Sequence, residues 1–163
     1  MRTILGLTIL GLGLIAGCSG NSGDIQLPGT QTKLHDVKSR LTDFQMRNGI
    51  GPITEPIELA AIDKELAQRG EKLFKTNCSA CHKLDERYVG PAQRDLVERR
   101  SPEYIINMIM NPNEMLQKNP EAKKMLSQYM TPMPNMNVSL NEARALLEYF
   151  RYVDVHKKVT EVN

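Results

Sequence analysis

The chain has 163 residues, room for one compact domain with extensions but not for two large cores. A formal net charge of +2 with 25% charged residues describes an ordinary polar surface, and the lack of a basic excess argues against nucleic acid as a partner. Aromatic content is 5% with no Trp, against nine Met, so a large aromatic core cannot fill the interior. At the start of the chain Arg2 is a weak positive flank, Ile4 to Ile15 form a short apolar run, and the small residues Ala16 and Gly17 precede Cys18. This is the shape of an export signal, and the run is too short to remain in a bilayer as a spanning helix.

Ile15-Ala16-Gly17-Cys18 resembles the lipobox of bacterial lipoproteins, in which the signal is removed and the Cys is lipidated as the new N-terminus. On that reading residues 1–17 are a lipoprotein signal peptide and Cys18 anchors the protein at the periplasmic side of a bacterial membrane. Ser19 leaves both inner and outer membrane open. An ordinary secretory signal cleaved nearby is the alternative. Residues 18–33, rich in Gly, Ser, Asn and Thr, form a flexible tether reaching about 20 Å as a coil. An N-terminal extension follows over 34–62, where Leu34, Val37, Leu41 and Phe44 predict an amphipathic helix at 34–47 that the Gly and Pro of 48–56 break.

The main domain is expected over 63–157, with a tail at 158–163. Asp63 is an N-cap, and Leu66, Gly70, Leu73 and Phe74 share one helical face that leads into Cys78. Ser101-Pro102 starts a second helix with Tyr104, Ile105, Met108 and Ile109 as its apolar set. Asn119-Pro120 starts a third, carrying Ala122, Met125, Leu126 and Tyr129 and stopping before Pro132 and Pro134. Ser139 to Glu142 is a capping box opening a long stripe of Ala143, Leu146, Leu147, Phe150 and Val153. No strand pattern is present, so the fold class is all-α.

Cys78-Ser79-Ala80-Cys81-His82 carries the chemistry, because C-x-x-C-H is the attachment pattern of haem c. Two thiols three residues apart on a helical turn can form thioethers with two vinyl groups, and His82 then presents its imidazole to the iron. With Cys18 taken by lipid, no disulfide framework competes for the pair. A structural zinc site would need four ligands, and only Cys78, Cys81, His82 and the remote His35 and His156 remain. A thioredoxin-like dithiol wants a βαβ setting that an all-α chain lacks.

The sixth iron ligand has to be chosen among many Met, most of which are ordinary core filler. Met130, Met133 and Met136 lie in an interhelical stretch, YMTPMPNMNVS, where backbone can bring a sulfur to iron. Met133 leads because Pro132 and Pro134 stiffen its surroundings, with Met136 second and Met130 last. His35 and His156, in the extension and the tail, are read as solvated.

From Asp63 to Val155 the chain resembles a class I, single-haem cytochrome c, on the strength of CSACH, Gly90-Pro91, a late Met-Pro and a C-terminal helix reading LLEYF. The resemblance implies a globule of three to five helices around one covalent haem c, with N- and C-terminal helices crossing. Gly70 and Phe74 match the family's small residue and aromatic on the first helix, and Leu146, Tyr149 and Phe150 the facing set. Gly90-Pro91 matches the segment whose Pro carbonyl accepts a hydrogen bond from the axial His, and Met133 matches the Met-Pro. Departures are the missing Trp, the long stretch 111–128 and the extension 34–62. They leave the haem propionate partners unassigned, and Arg94, Arg99 and Arg100 are read as a solvated helix face.

The expected function is one-electron transfer in a bacterial envelope, between a quinol-oxidising complex and a terminal reductase or oxidase, with a denitrification enzyme as one such partner and the protein as a monomer. Paired His/Met ligation leaves no position for a substrate, which argues against an enzyme. The alternative is a haem enzyme or a gas or redox sensor with a labile sixth ligand.

Overall fold

Side-chain caps start most of the helices, so local chemistry fixes where the chain turns. In a computed structural model, residues 41–157 and residue 162 are described, all within the unit Val37–Asn163. The export signal, Cys18, the tether, His35 and nearly all of the tail lie outside the described residues.

Among the described residues there are seven α-helices and no strand. They are α1 (Asp43–Asn48), α2 (Lys64–Leu73), α3 (Leu96–Arg99), α4 (Pro102–Met110), α5 (Pro112–Lys118), α6 (Pro120–Tyr129) and α7 (Leu140–Val155). Asp63 caps α2 by accepting from the Leu66 N–H at 2.9 Å, and Ser101 caps α4 by accepting from Tyr104 at 3.1 Å. Asn119 accepts from both Glu121 and Ala122 at the start of α6. The Ser139–Glu142 box closes in both directions at the start of α7.

The helix count exceeds the three to five of the simplest globules for two reasons. Asn111-Pro112 is a further start signal, so the stretch 111–128 holds two helices, α5 and α6, end to end. The extension adds α1, which begins at Asp43 behind a Thr42 capping box and ends at Asn48, later than the expected 34–47. Residues 34–40 of that expected helix lie outside the described part.

α2 and α7 cross at Gly70. A Cβ there would sit 1.9 Å from the Ala145 carbonyl oxygen and 2.9 Å from the Tyr149 Cβ, so only glycine allows the approach. Beside the crossing, Phe74, Tyr149 and Phe150 pack ring against ring at 5.5–5.9 Å, joined by Ala67, Ile105, Leu146 and Val153.

The extension is stitched to α4–α6 by buried amides. Fully buried Asn107 accepts from the Ile53 N–H at 2.9 Å and donates to the carbonyls of Asn48 and Ile53 at 3.0 Å each. Asn111 donates to the Ile50 carbonyl, and Asn119 to Gln45 and Met46. Gly49, at φ +81°, has the Met115 sulfur where a Cβ would be, and that sulfur accepts the Ile50 N–H at 3.0 Å. Backbone polar groups of an irregular segment are thereby satisfied without a sheet.

Candidate functional site

Helix α2 does not stop at Leu73 but widens into a π-helical turn, Phe74–Cys78, closed by the Ser79 N–H on the Phe74 carbonyl at 2.9 Å. Such turns shift the register of the downstream residues by one position and recur at functional sites. Phe74 is held in the core, and the turn sets half-buried Cys78 close to it. The N–H groups of Cys81 and His82 then both return to the Cys78 carbonyl, at 3.0 and 2.9 Å, which keeps the pentapeptide in one tight turn.

The chain next doubles back on itself. Gly90 donates to Cys81, Gln93 to Lys83 and Arg94 to Leu84, at 2.8–3.0 Å, so 90–94 runs beside 81–84. Gly90 thereby lies against the His82 ring: a Cβ would come within 2.4 Å of its Cε1. The His82 Nδ1 sits 3.0 Å from the Pro91 carbonyl oxygen. With Nδ1 donating its proton to that carbonyl, Nε2 is left with a free lone pair. Burial pushes the imidazole below its ordinary value, and the bond to Pro91 offsets this only in part, so the fold favours the neutral ring.

These residues open on a cavity of about 440 Å³, within the roughly 300–1,000 Å³ usual for small-molecule and cofactor sites. Cys78, Cys81, His82, Gly90 and Pro91 line it from one stretch of chain. Ile105 and Met108 of α4, Met125, Leu126 and Tyr129 of α6, and Leu146 and Phe150 of α7 supply the rest of a mainly apolar wall. Met133 and Met136 line it too, whereas Met130, 80% exposed and left-handed at φ 56° past the end of α6, does not. From 130 to 137 Met133 is the one residue that is not exposed.

The arrangement fits haem c. Two cysteines, a neutral imidazole with a fixed ring and a half-buried thioether share one apolar space. The rival chemistries fit less well. Burial, helped by the neighbouring Cys81, pushes the Cys78 thiol up to about 11, the reverse of what a reactive dithiol requires. Among the described residues no group of three His, Cys, Asp or Glu side chains is placed to hold a metal ion. His156 stacks on Tyr152 at the exposed end of α7.

The arginines depart from expectation. Arg94 is not solvated: its side chain is 10% exposed, donates to the Val153 carbonyl at 2.9 Å and grips Asp85 with two nitrogens. Arg99 and Arg100 both line the cavity, Arg100 lying over the Tyr104 ring and paired with Glu121 at 3.1 Å. Helix α3 has only four residues, and buried Asp154 sets its direction by accepting the Asp95 and Val97 N–H groups, a contact some 57 positions away that no local pattern announces. Gln93, buried at 7% exposure beside His82, is also invisible in the sequence, since an isolated Gln in a loop carries no signal.

Comparison with known proteins gives one answer. A family profile described as cytochrome c matches residues 67–154. A cytochrome c-553-like protein of Synechocystis is 30% identical over 69 residues, 39% of this chain and 66% of that protein. Cytochrome c-551 of Stutzerimonas stutzeri is 43% identical over 42 residues, 25% of this chain and 40% of that one. The chain thus spans less than two thirds of either curated relative. Among solved structures, a cytochrome c from Rhodothermus marinus is 47% identical with a TM-score of 0.65, over 69% of this chain and 97% of that one.

Proposed function

The chain belongs to the cytochrome c family, and from that membership we propose that it is a one-electron carrier of a bacterial envelope, tethered through Cys18 to the periplasmic side of a membrane. The family's covalently bound haem c supplies a reversible one-electron change at iron. In this reading the chain runs between a quinol-oxidising complex and a terminal reductase or oxidase.

The observation that carries the reading is the convergence of Cys78, Cys81, His82 and Met133 on one apolar cavity. The Cys78 and Cys81 thiols would hold the haem through two thioether links. His82, held in orientation by the Pro91 carbonyl and by the absence of a side chain at Gly90, would present Nε2 to the iron. Met133 would supply its thioether sulfur to the iron from the loop that lines the cavity. The walls contributed by α4, α6 and α7 keep water away, which limits the reorganisation that accompanies a change of charge.

Two measurements on protein matured with haem test this. The haem should stay with the chain in a denaturing gel and be lost from the double variant Cys78→Ala, Cys81→Ala. Carbon monoxide should bind the reduced protein slowly or not at all, because iron held by both His82 and Met133 would have no position left for it. Rapid binding would move the assignment to a haem enzyme or a gas sensor.

A further inference from the structure

The Pro91 carbonyl serves two donors. Besides the His82 Nδ1 at 3.0 Å, the Gln93 side-chain nitrogen lies 2.7 Å from the same oxygen and 2.8 Å from Nδ1 itself. Gln93 is 7% exposed, and its backbone N–H is fixed on Lys83, so this amide is built into the loop. A carbonyl has two lone pairs and can accept both bonds. Donors that share one oxygen compete for its electron density, and the Gln93 amide turns the positive end of its dipole toward the imidazole.

We propose that Gln93 is a positioning residue that raises the reduction potential of the haem by weakening the hydrogen bond between His82 and the Pro91 carbonyl. This rests on the reading of His82 as an axial ligand. A strong Nδ1–H bond makes the imidazole electron-rich and favours the oxidised iron, which carries one more positive charge. By sharing the acceptor, Gln93 makes His82 a poorer electron donor, and its dipole opposes the positive charge that spreads onto the ring in the oxidised state. Both effects favour the reduced state.

The test is a spectroelectrochemical titration of the holoprotein beside Gln93→Leu and Gln93→Met. Both variants should keep covalent haem and Met ligation while their midpoints move to lower potential. Held at the wild-type midpoint, their oxidised-to-reduced ratio should rise by about threefold or more, since a one-electron couple changes that ratio tenfold for roughly every 59 mV. In the reduced, diamagnetic state the His82 Nδ1–H resonance should move downfield in both, the mark of a strengthened bond that a merely structural role would not give. Unchanged or higher midpoints would overturn the proposal.

Should the variants fold poorly, the reduced wild type gives its own answer. A nuclear Overhauser contact between the Gln93 side-chain amide protons and the His82 Nδ1–H supports the shared carbonyl, and its absence overturns it. Failure of the haem reading itself would look different, as a wild type without haem absorption bands.

Discussion

At the level of single residues the site depends on what is missing at Gly90 as much as on what is present at His82. A methyl group at position 90 would meet the imidazole at 2.4 Å, and neither partner has room to yield, since the ring is tied to Pro91 and the loop to Cys81. Gly90→Ala should therefore destabilise the holoprotein by about 1–3 kcal/mol in denaturant titration and lower the yield of haem-loaded chain. The two cavity methionines separate by burial. Met136 is 40% exposed and Met133 half-buried, so Met136→Ala should leave the spectrum of the haem essentially as in the wild type. A changed oxidised spectrum in that variant would shift the ligand assignment to Met136. The pentapeptide was legible because thioether attachment demands two Cys and a His at fixed spacing, whereas Met133 was singled out by its flanking prolines and the late Met-Pro, and it lines the cavity. Gln93 was not legible, because its role exists only once the loop has doubled back.

Among the helices and their connections the caps were readable and the long-range amides were not. Asp63, Ser101, Asn119 and the Ser139–Glu142 box act within three residues of themselves, so the sequence displays both donor and acceptor. Gly70 was legible through its register with Phe74. Its replacement by Ala would drive a Cβ into the Ala145 backbone and force α2 from α7, with an expected cost of about 3 kcal/mol or more and a lower melting temperature. Asn107 is the contrary case: it sits on the apolar helix α4, and its partners Asn48 and Ile53 lie 59 and 54 positions away. Asn107→Leu leaves those half-buried backbone groups without their partner and should cost about 1–3 kcal/mol. Hydrogen exchange at Ile53 should accelerate more than at α7, because the segment 48–57 loses its attachment while the helix crossing remains.

Across the described residues an apolar cavity of about 440 Å³ is walled by α4, α6, α7, the Cys78–His82 turn and the Pro-flanked loop of Met133, and a segment bound by asparagine side chains adds to the family's basic globule. If Cys18 carries lipid, Cys18→Ala should move the protein from the membrane fraction to the soluble periplasmic fraction without altering its spectrum. Retention of the variant in the membrane would rule out this anchor.

Joint ligation of a covalently bound haem iron by His82 and Met133 is tested most directly by the absorption spectrum of the matured protein, oxidised and reduced, beside that of Met133→Ala. Narrow α and β bands are expected on reduction, with a weak far-red sulfur-to-iron band in the oxidised wild type that disappears in the variant. Persistence of that band in Met133→Ala, or its absence from the wild type, would contradict the assignment.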